Sequence, residues 1–283
     1  MDYKTGLLVF QNQFLIFPFS AIPTPDDDIS IFFNQEDPSA RIVGGTEAAP
    51  GSHPHMVAIT NGLMLRSLVC GGSLISQRTV LTAAHCIDAV YSFGSLSNSL
   101  RVTVGTNRWN SGGQNYNLAR NVTHPHYVSS IIKNDVGLLI TSANVVLSAL
   151  VQPISITYSH IPGGVPSRVA GWGRIRANGA ISATLLVHTA NTIGGEECVA
   201  AVKQAVIDLN FRTSPPVEPH IEVCTFHSVG HGTCNGDSGS ALARVDNGLQ
   251  FGVVSWGFPC ALGAPDMFVR LGAYESFITS NTV

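Results

Sequence analysis

From Ile42 onward, short apolar runs are broken every few residues by Gly, Pro, Asn or Ser. Val57 to Ile59, Ser73 to Ile75, Leu100 to Val104, Val136 to Ile140, Arg168 to Ala170 and Gly252 to Trp256 are such runs. This punctuation limits the fold more than any other feature. Strands this short, bounded by turn formers, pair into sandwiches or barrels, whereas a doubly wound sheet needs a long helix between strands. Helical patterning is confined to Glu196 to Asn210, with Cys198, Val202, Val206 and Leu209 on one side, and to a short terminal stretch, Tyr274 to Ser280. The expectation is an all-β fold, divided in two near the Pro/Gly-rich stretch Ser155 to Pro166.

With 45% hydrophobic and 12% charged residues, the chain can fill a core and is not generally disordered. A net charge of -3 and no Lys/Arg cluster exclude a phosphate-binding face, so nucleic acid is not an expected partner. The six cysteines, Cys70, Cys86, Cys198, Cys224, Cys234 and Cys260, form no C-x-x-C pair. That disfavours zinc or redox use and fits three disulfides made in an oxidising compartment, with the connectivity left open by spacing alone. Leu7 to Ala21 reads as a signal peptide with an atypical core, cleaved near Ala21. Ile22 to Arg41, rich in Pro, Asp and Ser, buries little. No run is long enough to span a bilayer, so no membrane partner is expected.

Three strings carry chemistry: Leu81-Thr82-Ala83-Ala84-His85-Cys86, Asn134-Asp135-Val136-Gly137, and Gly236-Asp237-Ser238-Gly239-Ser240. A serine hydroxyl is a poor nucleophile until a neighbouring base takes its proton. Imidazole suits that task near neutral pH, and a carboxylate fixes its tautomer and stabilises the imidazolium. Each string alone is a modest signal. Together, in the order His, Asp, Ser, with Ile42-Val43-Gly44-Gly45 upstream and Ser255-Trp256-Gly257 downstream, they are improbable by chance.

On these strings the chain resembles the trypsin/chymotrypsin family of serine peptidases, from Ile42 to about Phe277. The resemblance implies two packed six-stranded antiparallel β-barrels, about 42–160 and 161–270, with a terminal helix at about 273–281. It implies a secreted serine endopeptidase with His85, Asp135 and Ser238 as catalytic residues and the N–H groups of Gly236 and Ser238 as oxyanion hole. It makes Ser255 the support of the Asp135 carboxylate, and Ser255 to Gly257 the edge that pairs with substrate backbone. It pairs Cys70 with Cys86, Cys198 with Cys224, and Cys234 with Cys260. It also makes residues 22–41 an activation propeptide: cleavage after Arg41 by a protease with Arg preference frees the Ile42 ammonium to pair with Asp237.

The specificity pocket departs from typical trypsins. Gly232 stands where trypsins carry Asp, and Gly257 leaves the mouth open. Asp266, in the stretch Ala264-Pro265-Asp266-Met267-Phe268, falls on the pocket wall, and Gly at the base with Asp on the wall resembles the crab-collagenase (brachyurin) subgroup of arthropod digestive peptidases, of broad specificity; Trp256 is a further pocket residue. Two readings stay open. Asp266 admits Arg or Lys beside large apolar side chains, or it faces solvent or is neutralised by burial and the preference is chymotrypsin-like. Digestion of food protein in a gut lumen is the setting that this resemblance suggests.

His53-Pro54-His55 and His124-Pro125-His126 lack the i, i+4 spacing of a helical zinc pair, and Ser95 to Arg120 holds no Asp or Glu for calcium. No metal or cofactor is expected. Asn121-Val122-Thr123 is a glycosylation sequon. Expected partners are protein or peptide substrates, the activating protease and protein inhibitors, and a monomer is the default. The alternative is a catalytically inactive homologue acting as a binding or regulatory protein. Retention of all three triad residues and of Arg41-Ile42 argues for the enzyme.

Overall fold

The computed structural model describes residues 44–283 except 93, 175–178 and 259. The expected signal peptide at 1–21, the propeptide at 22–41, and Arg41 and Ile42 lie outside the described residues.

The chain runs β1 (Thr46–Glu47), β2 (Met56–Asn61), β3 (Ser67–Leu74), β4 (Thr79–Thr82), α1 (Ala84–Asp88), the small hairpin β5 (Tyr91–Ser92) and β6 (Ser95–Leu96), β7 (Arg101–Val104), β8 (Gln114–Tyr116), β9 (Leu118–Thr123) and β10 (Gly137–Thr141). The second half holds β11 (Pro166–Gly171), β12 (Leu186–Ile193), α2 (Gly195–Asp208), β13 (Glu222–Phe226), β14 (Ala241–Arg244), β15 (Gln250–Gly257), β16 (Asp266–Arg270) and α3 (Glu275–Asn281).

The first sheet has the order β8-β7-β2-β3-β4-β10-β9. Its two ends, β8 and β9, are halves of one segment interrupted only at Asn117, so the ring closes through the chain with six strands around it. The interruption coincides with a register shift at Ile140/Thr141, where the Asn117 carbonyl accepts from Ser142 N at 2.9 Å instead. The second sheet has the order β1-β12-β11-β14-β15-β16-β13, and a β12–β13 pairing closes six of its strands. Closure leaves no exposed strand edge in the ring. The fold is thus all-β with two barrels. β1 lies outside the second ring, with Thr46 opposite Val187 and Glu47 opposite Leu186, so the first described strand is attached to the barrel built from the far half of the chain.

Val57, Ile59, Leu74, Leu81 and Leu138 fill the first barrel and are essentially inaccessible. α3 follows the second barrel in sequence, yet Tyr274 and Ile278 belong to that same core. The Val283 amide donates to Thr79 Oγ1 at 2.9 Å, so the C-terminus clasps the first barrel. Burying a side chain such as Ile278 contributes about 1.5–3 kcal/mol. α2 buries Cys198, Val202 and Ala205, while Val206 and Leu209 are half-buried. The inward stripe is therefore centred nearer Ala205 than the sequence pattern suggests, while the Cys198–Cys224 bridge ties the helix start to β13. Met56, Ala58 and Leu68 meet Ala170, Trp172 and Leu185 in a cluster that joins the barrels. The chemistry-bearing strings converge along this seam.

Candidate active site

β4 delivers His85. Ala83 leaves the strand in extended conformation, and α1 begins at once, so His85 sits in the first turn of a five-residue helix, 3% exposed. Cys70–Cys86 anchors that turn to β3. Closing loops of these sizes with a disulfide is typically worth about 2–4 kcal/mol.

Asp135 arrives by a more contorted route. Ile132 and Asn134 both adopt left-handed backbone conformations, φ 49° and 55°, which disfavour a β-branched residue in particular. Contacts on both sides hold the segment there. Asn134 Nδ2 donates to the His126 carbonyl at 2.8 Å, and Tyr274 Oη donates to Asn134 Oδ1 at 3.0 Å. Between them, Lys133 Nζ reaches Glu222 Oε1 at 2.7 Å, both side chains buried. Glu222 also accepts from Trp256 Nε1 at 2.8 Å and from Glu218 N at 2.7 Å. Two strands of the second barrel, β13 through Glu222 and β15 through Trp256, thus hold the residue before Asn134.

The Asp135 carboxylate, 2% exposed, takes three hydrogen bonds. Oδ1 accepts from His85 N at 2.9 Å, and Oδ2 from His85 Nδ1 at 2.8 Å and Ser255 Oγ at 2.6 Å. The bond from Nδ1 fixes the orientation of the imidazole and the tautomer that a base requires. Ser255 can reach because of a bulge. Val254 opposes Phe268 and Trp256 opposes Met267, so Ser255 is the extra residue between them. A bulge re-aims the side chain it displaces.

Ser238 lies in a tight turn, 6% exposed. Asp237 N donates to Cys234 O at 3.0 Å, Ser240 N to Asp237 O at 3.0 Å, and Gly71 N to Ser238 O at 2.8 Å. Gly239 packs directly on the His85 strand: a Cβ there would lie 2.2 Å from Thr82 Oγ1 and 3.3 Å from Ala83 N. Gly236 has φ 96°, a conformation that turns its amide in a way side-chain-bearing residues resist. The Ser238 turn therefore packs on the strand that leads into His85, whose ring is bound to Asp135.

Asp237 is fully buried in a glycine-lined slot. Gly173 N donates to Oδ1 at 2.7 Å and Cys234 N to Oδ2 at 3.1 Å. A Cβ at Gly171 or Gly173 would stand 2.1 or 2.2 Å from its oxygens, so only glycine admits the carboxylate. Burial pushes this carboxyl up to about 8, against the pull of the two amide bonds.

Beside Ser238 opens a pocket lined by Thr233, Asn235, Ser255, Trp256 and Gly257 among others, and stapled by Cys234–Cys260. Asp266 lies behind the lining residue Thr233, opposite Gly257 in the β15–β16 ladder, and does not face solvent: it is 7% exposed and accepts from Thr233 N at 2.9 Å and Thr233 Oγ1 at 2.8 Å. A Cβ at Gly232 would come 2.8 Å from Asp266 Oδ2, and one at Gly257 3.6 Å from Oδ1. The absent side chain at 232 makes room for this carboxylate, whereas a Cβ at 257 would only touch it. Burial raises it to about 7, and the Thr233 bonds oppose the rise.

The Lys133–Glu222–Trp256 network and the Thr233 bonds to Asp266 escaped sequence reading. Charges set in apolar company, Lys133 after Ile131-Ile132 and Glu222 between Ile221 and Val223, signal buried partners but do not say which. Cys70, His85 and Cys86 also lie close together. Their two sulfurs are bonded to each other and offer no thiolate to a metal.

Residues 42–278 match the family model described as Trypsin. The chain is similar to Chymotrypsin-2 of Vespa crabro, 35% identical over 241 residues, which cover 85% of this chain and 99% of that protein. It is 30% identical to Trypsin of Phaedon cochleariae over 251 residues, 88% of this chain and 91% of the relative. It is 29% identical to Trypsin alpha-4 of Lucilia cuprina over 241 residues, 85% and 87% respectively.

Proposed function

The chain belongs to the trypsin family of serine endopeptidases, and from that premise we propose that it is made as a secreted precursor, is activated by cleavage after Arg41, and hydrolyses peptide bonds through an acyl-enzyme on Ser238. The observation that carries the catalytic assignment is the buried Asp135 carboxylate. It is bound at once by His85 Nδ1 and Ser255 Oγ, while the Ser238 turn rests on the strand that delivers His85.

In this reading His85 Nε2 takes the Ser238 hydroxyl proton as Oγ attacks the scissile carbonyl carbon. The N–H groups of Gly236 and Ser238 bind the resulting oxyanion, and one such donor is typically worth roughly 10²–10³ in rate. His85 then gives its proton to the leaving amine, leaving Ser238 acylated. A water molecule, deprotonated by His85, attacks the ester and restores the hydroxyl. Substrate backbone pairs alongside Ser255 to Gly257. A fluorophosphonate probe tests the assignment. The cleaved enzyme should be labelled on Ser238, and His85→Ala should abolish labelling; an unlabelled mature protein overturns the reading.

The activation reading rests on the buried carboxylate of Asp237, which has no cationic partner among the described residues. An Ile42 ammonium entering that slot would neutralise it and lock the turn that carries Gly236 and Ser238. Gly44 supports the path of insertion: a Cβ on it would lie 2.2 Å from His231 Cδ2 and 2.9 Å from Gly230 O, in the turn that leads to Gly232 and Thr233.

For the residue before the scissile bond, the Asp266 carboxylate behind Thr233 supports broad specificity of the brachyurin kind. Large apolar side chains fill the pocket and Arg or Lys reach the carboxylate. Three disulfides fit an extracellular protein, and no helix among the described residues is long and apolar enough to cross a membrane. Secretion into a digestive lumen, with protein substrates and protein inhibitors as partners, is the setting that we infer.

A further inference from the structure

The β2–β3 hairpin ends in an apolar tip. Asn61 faces Ser67 across the ladder, so Gly62 to Arg66 form the loop between the strands. Leu63, Met64 and Leu65 are 81%, 97% and 92% exposed. Gly62, at φ 115°, lets the loop fold back tightly: a Cβ on it would lie 2.0 Å from Leu65 O. Three consecutive large apolar side chains thus stand on a convex turn, with polar Asn61 and Ser67 at its base. Single exposed hydrophobic residues need no account, but a contiguous apolar patch rimmed by polar residues marks a contact surface.

The base of the tip is cationic. Arg66 ends the loop, and Arg101 of β7 lies opposite Thr60 of β2. Partial burial, and then the charge of Arg101, hold the Arg66 guanidinium below its ordinary value, so the two cations are close. Arg66 donates to Asn115 Oδ1, and Arg101 to the carbonyls of Asn98 and Leu100 at 2.8 and 2.7 Å. Neither guanidinium pairs with a carboxylate among the described residues. In the sequence, Asp88 is the only acid between Ala48 and Asn134. The overall charge of -3 therefore conceals two like charges, brought together by folding, with no counter-ion of their own.

We propose that this tip docks the protein on an anionic lipid surface, with Leu63, Met64 and Leu65 in the headgroup–acyl boundary and Arg66 and Arg101 on the anionic headgroups. A protein partner needs a hollow shaped to three splayed side chains, whereas a fluid boundary admits them as they stand, and headgroup charge meets the arginines behind them. Contact of this kind is interfacial and needs no apolar run of bilayer length. It also places the enzyme. Gly71 N donates to Ser238 O, and Gly71 lies six residues along β3 from Leu65, so docking holds the Ser238 turn within about 20 Å of the lipid. Proteins presented at that surface become the favoured substrates.

The test is cosedimentation of the secreted protein with vesicles of phosphatidylcholine alone and of phosphatidylcholine mixed with phosphatidylserine. Every variant keeps the same N-terminus, so a difference between variants reports on the tip. The wild type should bind the mixed vesicles at least about 10-fold more tightly than phosphatidylcholine alone, and should lose that margin in high salt. Leu63→Ser/Met64→Ser/Leu65→Ser should weaken binding to the mixed vesicles by about 10-fold or more. Arg66→Gln/Arg101→Gln should bind both kinds of vesicle alike. Val146 and Leu150 are 62% and 49% exposed elsewhere on the first barrel, and Val146→Ser/Leu150→Ser should bind as the wild type does. Binding is read without turnover, so its outcome is separate from that of the catalytic assignment. The proposal fails if the wild type ignores the mixed vesicles, or if the triple variant binds them unchanged. It also fails if neither protein binds vesicles while the wild type alone self-associates in sedimentation velocity, which would assign the tip to a second copy of this chain.

Discussion

Ser255 Oγ donates to Asp135 Oδ2 across 2.6 Å, from a residue that the β15–β16 ladder pushes out of register. The bulge turns a strand position into a support for the carboxylate on the opposite barrel. A hydrogen bond to a charged group is typically worth about 1.5–3 kcal/mol. Ser255→Ala should therefore lower kcat/KM roughly 10–100-fold with little change in fold, because the strand backbone is untouched. Asp135→Asn should cost more, roughly 10⁴ in kcat, since it also leaves the imidazole in the wrong tautomer. Steady-state kinetics on one peptide substrate separates the two. Equal losses would mean that Ser255 does more than hold the carboxylate.

Asp266 predicts a pH-dependent preference. Burial raises its carboxyl to about 7, so it is protonated in acid and charged in mild alkali. Cleavage after Arg or Lys needs the charge, whereas cleavage after Phe or Leu does not. The ratio of kcat/KM for Lys over Phe substrates should rise as pH passes through about 7. A bound cation favours the carboxylate, so in the substrate complex the rise should begin lower. Asp266→Gly should lose roughly 10–100-fold on Arg and Lys substrates, retain Phe and Leu turnover, and flatten the ratio. Equal loss on both substrate types would refute the dual pocket.

Asp237 predicts how the precursor responds to pH. Its carboxyl rises from 3.8 to about 8 on burial, so between those values the folded chain keeps a proton that the unfolded chain has released. Unfolding free energy must then fall as pH climbs from about 4 to about 8. Relative to Asp237→Asn, the uncleaved protein should lose Tm over that range by more than the about 2–4 °C that 1 kcal/mol produces in a domain this size. Cleavage after Arg41 brings in the Ile42 ammonium and should abolish the slope. Arg41→Gln should stay intact and inactive with an Arg-directed activator. Parallel Tm profiles for wild type and Asp237→Asn would refute the assignment.

What could be read from the residues alone follows a physical line. Turn-punctuated runs such as Val57 to Ile59 and Gly252 to Trp256 are local signals, and they do lie in strands. The six cysteines pair as the family resemblance implied. His85, Asp135 and Ser238 stand out because each sits in a short string with its own composition. Contacts between distant positions leave no such trace. Nothing near Ser255 says that it will bulge, and nothing near Thr233 says that its amide and hydroxyl will both meet Asp266. The closure of the first barrel through Asn117 depends on a register shift in β10, a strand encoded elsewhere.

The buried pair Lys133–Glu222 supplies the last prediction. Its members come from different barrels and meet at 2.7 Å, nearly out of water, with Lys133 Nζ 5.3 Å from the centre of the Trp256 ring. Such a pair adds little net stability over well-packed apolar residues, but removing one member strands a charge, at about 3–5 kcal/mol. Lys133→Met should therefore lower stability by about that amount. Lys133→Met/Glu222→Leu should recover much of it, short of the bonds that Glu222 makes to Trp256 and Glu218 N. Activity should not recover in parallel. Without the ion pair, Ile132 and Asn134 lose a contact that holds them in left-handed conformations, and Asp135 follows them in sequence. Chemical denaturation and kcat measured on the same three proteins read the two effects separately. A double variant as unstable as Lys133→Met would show that the cost lies in packing, and full activity in the double variant would show that the pair does not position Asp135.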